Sequence, residues 1–142
     1  MKTARRRSRE IALQALYAWQ LAGGNPLDEL PALDEEGRAD RDLAEALVRG
    51  VLERAEELKG LIAPCLDRDF ARLSPVERAI LYIGAFELQA HPETPFKVVV
   101  NEAVELGKSF GGTGGHKFVN GVLEKLAGGL RPDEVARGKQ PA

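Results

Sequence analysis

The sequence predicts an all-α protein, and two observations support this prediction. Apolar residues recur at steps of three and four through most of the chain, most clearly in residues 96–126, and this period is that of one face of a helix. The segment Ser74-Pro75-Val76-Glu77 places a serine N-cap before a proline and a glutamate three residues later, which is the capping box that starts a helix. No strand-like alternation of apolar and polar residues is convincing.

The first helix is predicted over residues 4–21, since the GGNP segment at residues 23–26 stops it. Residues 27–38 are interpreted as a linker with at most one short helical turn, because Pro31 and Gly37 break any longer run.

A long helical region is expected over residues 40–66, with a break or kink near Gly60 and Pro64. The helix behind the capping box, residues 76–90, is apolar on most sides and is therefore expected at the centre of the core. His91, which precedes a proline, is interpreted as a residue at the end of this helix.

The stretch from Phe96 onwards predicts two helices joined by the glycine-rich turn at residues 111–115. The first of these helices has an apolar face that it cannot cover alone, so further helices must pack against it. After Leu130 the chain is expected to be a loose tail, residues 131–142.

Composition and length place the chain among soluble globular proteins. Its 142 residues are 30% charged and 44% apolar, and they suffice for one domain or two small subdomains around one core. The single cysteine, Cys65, excludes an internal disulfide and is interpreted as a buried thiol. The paired arginines near the start resemble an export signal, but polar residues interrupt the apolar run that follows. An amphipathic helix and a cytoplasmic protein are therefore expected.

Charge is distributed unevenly along the chain. The net charge is −2, yet residues 1–10 carry five cations against the single acid Glu10, while residues 28–45 carry eight acids against Arg38 and Arg41. A mildly acidic protein with one cationic end is expected to bind anions at a local site, and not to bind nucleic acid over its whole surface.

The glycine turn followed by Lys117 invites comparison with a phosphate-binding loop, but the residues around the lysine do not match the Walker pattern. The start of the second helix still offers backbone N–H groups to an anion, with His116 and Lys117 as further donors. The two histidines, His91 and His116, lack metal-ligand companions at helical spacing. We find no nucleophile, carboxylate pair or metal site, so neither catalysis nor a cofactor is predicted.

Several candidate residues allow two interpretations. Phe118 fits either the core or a surface on which an RNA base stacks. The arginine run at residues 5–7 is either a solvated helix end or a phosphate-binding segment, and Tyr17 is either a core residue or part of a wet RNA surface. Glu77 belongs to the capping box and offers, as a lesser alternative, a contact to a partner. Cations and rings together are typical of a single-stranded RNA site.

These segments together resemble the NusB family of bacterial transcription antitermination factors over nearly the whole chain. Three blocks carry the resemblance, namely RRRSREIALQALYAWQL, LSPVERAILYIGAFEL and PFKVVVNEAVELGKSFG with HKFVNGVLEKL after the turn. The resemblance implies two packed small helical bundles, about residues 1–68 and 69–130. It also implies binding to boxA, a short single-stranded RNA element of ribosomal RNA leaders, together with NusE, a small-subunit ribosomal protein. That complex would join elongating RNA polymerase with other Nus factors and suppress termination.

By position, the resemblance implies RNA contacts at Arg5, Arg6, Arg7, Tyr17 and Phe118, and a NusE contact at Glu77. Lys2, His116 and Lys117 complete the predicted RNA surface as neighbouring donors. The chain departs from the family at Thr113-Gly114-Gly115, where relatives often carry acidic or serine residues, and at Tyr82, where they often carry a basic one. The turn would lose side-chain contacts, and an RNA contact at Tyr82 would become stacking or disappear.

Two other functions stay open at this point. A related helical domain precedes the catalytic part of some ribosomal RNA cytosine methyltransferases, so the chain also fits an accessory RNA-binding domain of such a system. A purely structural helical oligomer is the third possibility. The sequence leaves open whether the protein is a monomer or a homodimer.

Overall fold

The protein was analysed as a computed structural model, which describes residues 2–138. Its helices, in chain order, are α1 (Ala4–Ala22), α2 (Leu30–Leu33), α3 (Arg41–Ile62), α4 (Pro75–Ala90), α5 (Phe96–Phe110), α6 (Gly115–Leu130) and α7 (Pro132–Gly138). Short 3-10 helices occur at Pro26–Glu29, Ala63–Cys65 and Phe70–Arg72. No strand occurs in residues 2–138, and the all-α prediction is confirmed.

Helix α4 lies at the centre of the core. Its residues 79–88 are all buried, because α1, α3, α5 and α6 pack around it. The capping box forms as predicted: Ser74 Oγ accepts the Glu77 N–H at 3.1 Å, and Glu77 Oε1 accepts the Ser74 N–H at 3.2 Å. The buried residues form one hydrophobic cluster, and the division into two subdomains near residue 68 stays a prediction.

Helix α1 runs antiparallel to α4 and is bonded to it near both ends. Near the start of α1, Arg9 donates through Nε and Nη2 to the carboxylate of Glu87, near the end of α4, at 2.9 and 2.8 Å. Near the end of α1, Gln20 Nε2 donates to the carbonyl of Pro75, the first residue of α4, at 2.8 Å. The arginine run therefore lies at the end of α4 that is remote from Glu77.

Helices α5 and α6 form the predicted hairpin around the glycine turn. Gly114 has a φ of 80°, in the left-handed region that favours glycine. The helices approach so closely at Gly107 that a Cβ there would stand 2.9 Å from the Cα of His116. The absence of a side chain at Gly107 thus fixes the position at which α6 starts.

Helix α3 is interrupted at a residue that the sequence did not mark. This additional break lies at Arg54 (φ −119°, ψ 17°). The predicted break near Gly60 and Pro64 is confirmed, because α3 ends at Ile62 and a 3-10 helix follows at Ala63–Cys65. The guanidinium of Arg54 lies 5.5 Å from the centre of the Phe86 ring, and its Nη1 donates to Gln89 Oε1 at 3.0 Å. These contacts come from α4, so no local pattern in α3 could have indicated them.

The prediction of a loose tail is wrong for residues 131–138, of which Pro132–Gly138 form a helix packed against the other helices. The Arg131 side chain is buried and donates four hydrogen bonds of 2.7–3.0 Å, to the carbonyl oxygens of Glu87, Leu88, His91 and Thr94. Carbonyls in the last turn of a helix lack some of their helical partners. The guanidinium supplies donors to two carbonyls in the last turn of α4 and to two in the loop that follows. Helix α7 follows, with Val135 against the core. The rest of the predicted tail, residues 139–142, lies outside the described residues.

Glu134 of α7 caps the start of α5. Its Oε1 accepts the N–H of Phe96 at 2.9 Å, and its Oε2 accepts from Arg131 Nη1 at 3.2 Å. The hydrogen bond from Phe96, with a smaller contribution from Arg131, keeps the pKa of Glu134 below its ordinary value despite the opposing effect of burial. This carboxylate therefore stabilises the folded state in its charged form.

Replacing Glu134 with glutamine is expected to lower the free energy of unfolding at neutral pH. The replacement should also make the free energy of unfolding less dependent on pH in the acidic range. A carboxylate whose pKa is lowered by folding contributes stability above its unfolded-state pKa, and this stability is lost as the pH falls through the folded-state pKa. Urea denaturation at neutral pH and at about pH 3 would test this, with the exposed Glu124→Gln as control. If the free energy of unfolding differed between Glu134→Gln and the unmodified protein by the same amount at both pH values, the prediction would be contradicted.

Candidate nucleic-acid interface

The predicted cations at the start of α1 are mostly neutralised within the protein. Three of them form ion pairs: Lys2 with Glu10 at 2.8 Å, Arg5 with Asp40 at 4.0 Å and Arg6 with Glu102 at 3.0 Å. All three cationic side chains remain 38–52% exposed. Exposed ion pairs contribute little to stability, so a phosphate can replace the carboxylate at low energetic cost.

Arg7 differs from its neighbours because it forms no ion pair within the described part of the chain. It lines an open hollow with Gln14 of α1 and Phe110, the last residue of α5. The acidic segment at residues 34–36 lies across the same hollow. Arg7 is therefore the least compensated cation of the arginine run.

Tyr17 is a surface residue, which excludes its interpretation as a core residue. Its side chain is 39% exposed, and it lies one helical turn beyond Gln14, so the two are neighbours on the surface of α1. Tyr17 therefore continues the line that Arg7 and Gln14 begin.

The start of α6 offers fewer donors than the sequence suggested. The N–H of Gly115 donates to the Gly112 carbonyl, and those of Lys117 and Phe118 donate to the Gly114 carbonyl, at 3.0–3.2 Å. These amides are occupied by the turn itself, so the expectation of a row of free N–H groups for an anion is wrong. The Lys117 side chain is exposed, whereas His116 is half-buried against α5.

Phe118 is neither fully buried nor open. Its ring packs partly against the core, and the guanidinium of Arg68 lies over it, 4.7 Å from the ring centre. Asp67 Oδ1 accepts from Arg68 Nε at 2.9 Å. Sequence analysis missed Arg68, because a lone arginine in a loop carries no signal until the fold places a ring beneath it.

Glu77 lies beside the start of α6. Its backbone N–H and its carboxylate oxygen Oε1 belong to the capping box. Its other carboxylate oxygen, Oε2, lies 3.9 Å from the point where a Cβ would stand if Gly115 had a side chain. The predicted partner contact and the predicted base contact at Phe118 therefore lie on the same part of the surface.

The structure brings the predicted residues together in two groups. The α1 group contains Lys2, Arg5, Arg6 and Arg7; the α6 group contains Glu77, His116, Lys117 and Phe118. They lie towards opposite ends of α4, since Arg9 is bonded to Glu87 and Gly115 lies beside Glu77. Phe110 links them, because it lines the hollow of Arg7 and directly precedes the glycine turn.

The remaining candidates prove structural. Tyr82 is only 7% exposed and its ring packs edge-on against Phe70, so burial raises the pKa of its hydroxyl and no RNA base can stack on it. His91 ends α4 as predicted. Cys65 is half-buried, and burial raises the pKa of its thiol.

Within residues 2–138, no helix is long and apolar enough to cross a membrane. The same residues contain no cluster of histidine, cysteine and acidic side chains suited to a metal ion.

Comparison with known proteins gives a consistent picture. A family model described as the NusB family matches residues 6–128. The transcription antitermination protein NusB of Paraburkholderia phytofirmans is 50% identical over 143 residues, covering 99% of both chains. The structure of T. maritima NusB matches with a TM-score of 0.85 and 30% identity, covering 96% of this chain and 99% of that one. A chain from a crystal structure of antitermination factors NusB and NusE in complex with dsRNA matches with a TM-score of 0.80 and 30% identity, covering 91% of this chain and 99% of that one.

Proposed function

The chain belongs to the NusB family of transcription antitermination proteins, and on that premise we propose that it binds boxA-type single-stranded RNA of ribosomal RNA leaders together with NusE. The bound complex then joins RNA polymerase and other Nus factors and suppresses termination, a role that belongs in the cytoplasm. An antitermination factor is not an enzyme, which agrees with the prediction from sequence.

The observation that carries this proposal is the match to a chain solved with NusE and RNA, over 91% of the present chain. The α1 group supports it with exposed or half-buried cations, one of which, the half-buried Arg7, forms no ion pair among the described residues. The α6 group supports it with a half-exposed ring and a carboxylate on adjacent surface. Cations for phosphates beside rings for bases are typical of RNA-binding sites.

Whether the RNA is single-stranded or double-stranded is part of the proposal. The solved NusB–NusE structure contains dsRNA, whereas the boxA interpretation requires a single strand. Rings and guanidinium planes stack on bases that are splayed out of a helix, and the guanidinium of Arg68 over the ring of Phe118 favours a single strand for this reason.

The test is a titration of boxA-type RNA, single-stranded and as a duplex of the same sequence, with and without NusE. We expect the single strand to bind more tightly than the duplex, and more tightly still with NusE present. The logarithm of the binding constant should fall with the logarithm of salt concentration by about 0.7 per neutralised phosphate. Absent binding, or binding insensitive to salt and to NusE, would reject the proposal.

Arg7→Ala is expected to weaken RNA binding more than Arg6→Ala. The charge of Arg6 is largely compensated by Glu102, whereas that of Arg7 is not. Loss of one phosphate contact should reduce the slope of the logarithm of the binding constant against the logarithm of salt concentration by about 0.7. It should weaken the binding of different RNA sequences to the same extent. Arg49→Ala, an exposed arginine in the middle of α3, is the matched control and should bind like the unmodified protein. Equal affinity for Arg7→Ala and Arg49→Ala would contradict this prediction.

A further inference from the structure

The ring of Phe118 is not free to receive a base. One side of the ring packs against the core, and the guanidinium of Arg68 covers it at 4.7 Å. A base could stack directly on this ring only after Arg68 had moved. The outer surface of the Arg68 side chain, in contrast, is open to solvent, since the side chain is 47% exposed.

We propose that the guanidinium plane of Arg68, and not the ring of Phe118, is the surface on which an RNA base stacks, with Phe118 supporting the guanidinium from beneath. This inference rests on the proposed function and names a further residue of the same site. Guanidinium planes, like aromatic rings, stack on unpaired bases. The resulting order is base, Arg68, Phe118, core.

The surroundings of Arg68 favour this arrangement. Asp67 accepts from Nε at 2.9 Å and so fixes one edge of the guanidinium while leaving its outer plane uncovered. The Asp67 side chain is itself 73% exposed, so the pair is weak and the guanidinium can adjust to a base. Lys117, which directly precedes Phe118, is exposed. It adds a cation for the phosphate next to the stacked base.

The neighbouring Glu77 places this platform beside the predicted protein contact. The hydrogen bond and charge of Asp67, with a smaller contribution from the carboxylate of Glu77, raise the pKa of Arg68, so the guanidinium remains charged at any accessible pH. A partner that binds at Glu77 therefore meets the same surface patch as the base on Arg68.

The experiment compares boxA-type RNA binding by the unmodified full chain, Arg68→Ala, Arg68→Lys and Phe118→Ala, with NusE present. Lysine keeps the charge but has no plane to stack on. We therefore expect both Arg68→Ala and Arg68→Lys to weaken binding by at least about fivefold. Phe118→Ala should weaken it similarly, and Arg68→Ala combined with Phe118→Ala should be no weaker than either alone, because both remove the same stack.

Arg72→Ala is the matched control, since Arg72 is an exposed arginine four residues further on and should leave affinity unchanged. Thermal unfolding of each variant separates loss of the site from loss of the fold. Affinity of Arg68→Ala equal to or tighter than that of the unmodified protein would overturn the inference, because the ring would then be the platform. Full affinity in Arg68→Lys would overturn it as well, because charge alone would suffice.

The outcomes also separate this inference from the proposed function. If the unmodified protein binds RNA with NusE, and only Phe118→Ala is weakened, the function stands and the role of Arg68 is wrong. If the unmodified protein binds no RNA in either condition, the proposed function itself fails.

Discussion

Replacing Glu87 with alanine should lower the free energy of unfolding by about 3–5 kcal/mol. The side chains of Arg9 and Glu87 are 4% and 1% exposed and share two hydrogen bonds. Burial opposes the charge of Arg9, but the hydrogen bonds and the charge of Glu87 outweigh it and keep the pKa of Arg9 above its ordinary value. Without Glu87 the guanidinium would be a buried cation with no carboxylate beside it. Urea denaturation measures the loss.

Two further variants make this test specific. Arg9→Met combined with Glu87→Leu should recover most of the stability, because replacing a whole buried ion pair by apolar side chains is often neutral or favourable. Arg6→Ala breaks a pair with Glu102 of the same two-bond geometry, but its half-exposed position predicts a loss below about 1 kcal/mol. Similar losses for Arg6→Ala and Glu87→Ala would show that burial does not decide the effect.

Arg131→Met should lower the free energy of unfolding by about 2–4 kcal/mol. It would leave four carbonyls at the end of α4 and in the following loop without their buried donor. It would also remove the ion pair with Glu134, which in turn caps α5. The measurement is again urea denaturation.

Arg131→Lys should recover only part of this loss, because an ammonium has three donors and lacks the planar fork that reaches several carbonyls at once. Arg137→Ala, an exposed arginine of the same helix α7, is the control and should stay within about 0.5 kcal/mol of the unmodified protein. If Arg131→Met were as stable as Arg137→Ala, residues 131–138 would behave as the loose tail that the sequence suggested.

The helices were predictable because their signals are local. Ser74 and Glu77 meet within a single turn, and glycines end α1 and α5, so neighbouring residues determine these boundaries. The apolar face of α4 predicted its central position for the same reason, since a helix apolar on most sides must be covered on most sides. The chemical character of the α1 group was likewise visible as a run of arginines.

Other features depend on residues that are distant in sequence. The break at Arg54 reflects contacts to Phe86 and Gln89. Arg131 was assigned to a tail because its carbonyl partners precede it by 37 to 44 residues.

The sequence by itself determined the all-α fold and most helix ends, because these follow from turn chemistry and from the 3.6-residue period, and it showed which residue types are candidates for the proposed RNA site. Only the tertiary structure decided which of those side chains are available. It paired Arg6 with Glu102, left Arg7 without a direct ion pair among the described residues, and set Arg68 over Phe118. The physical reason is that ion pairs, burial and stacking depend on distances in space, and here those distances arise from packing around α4.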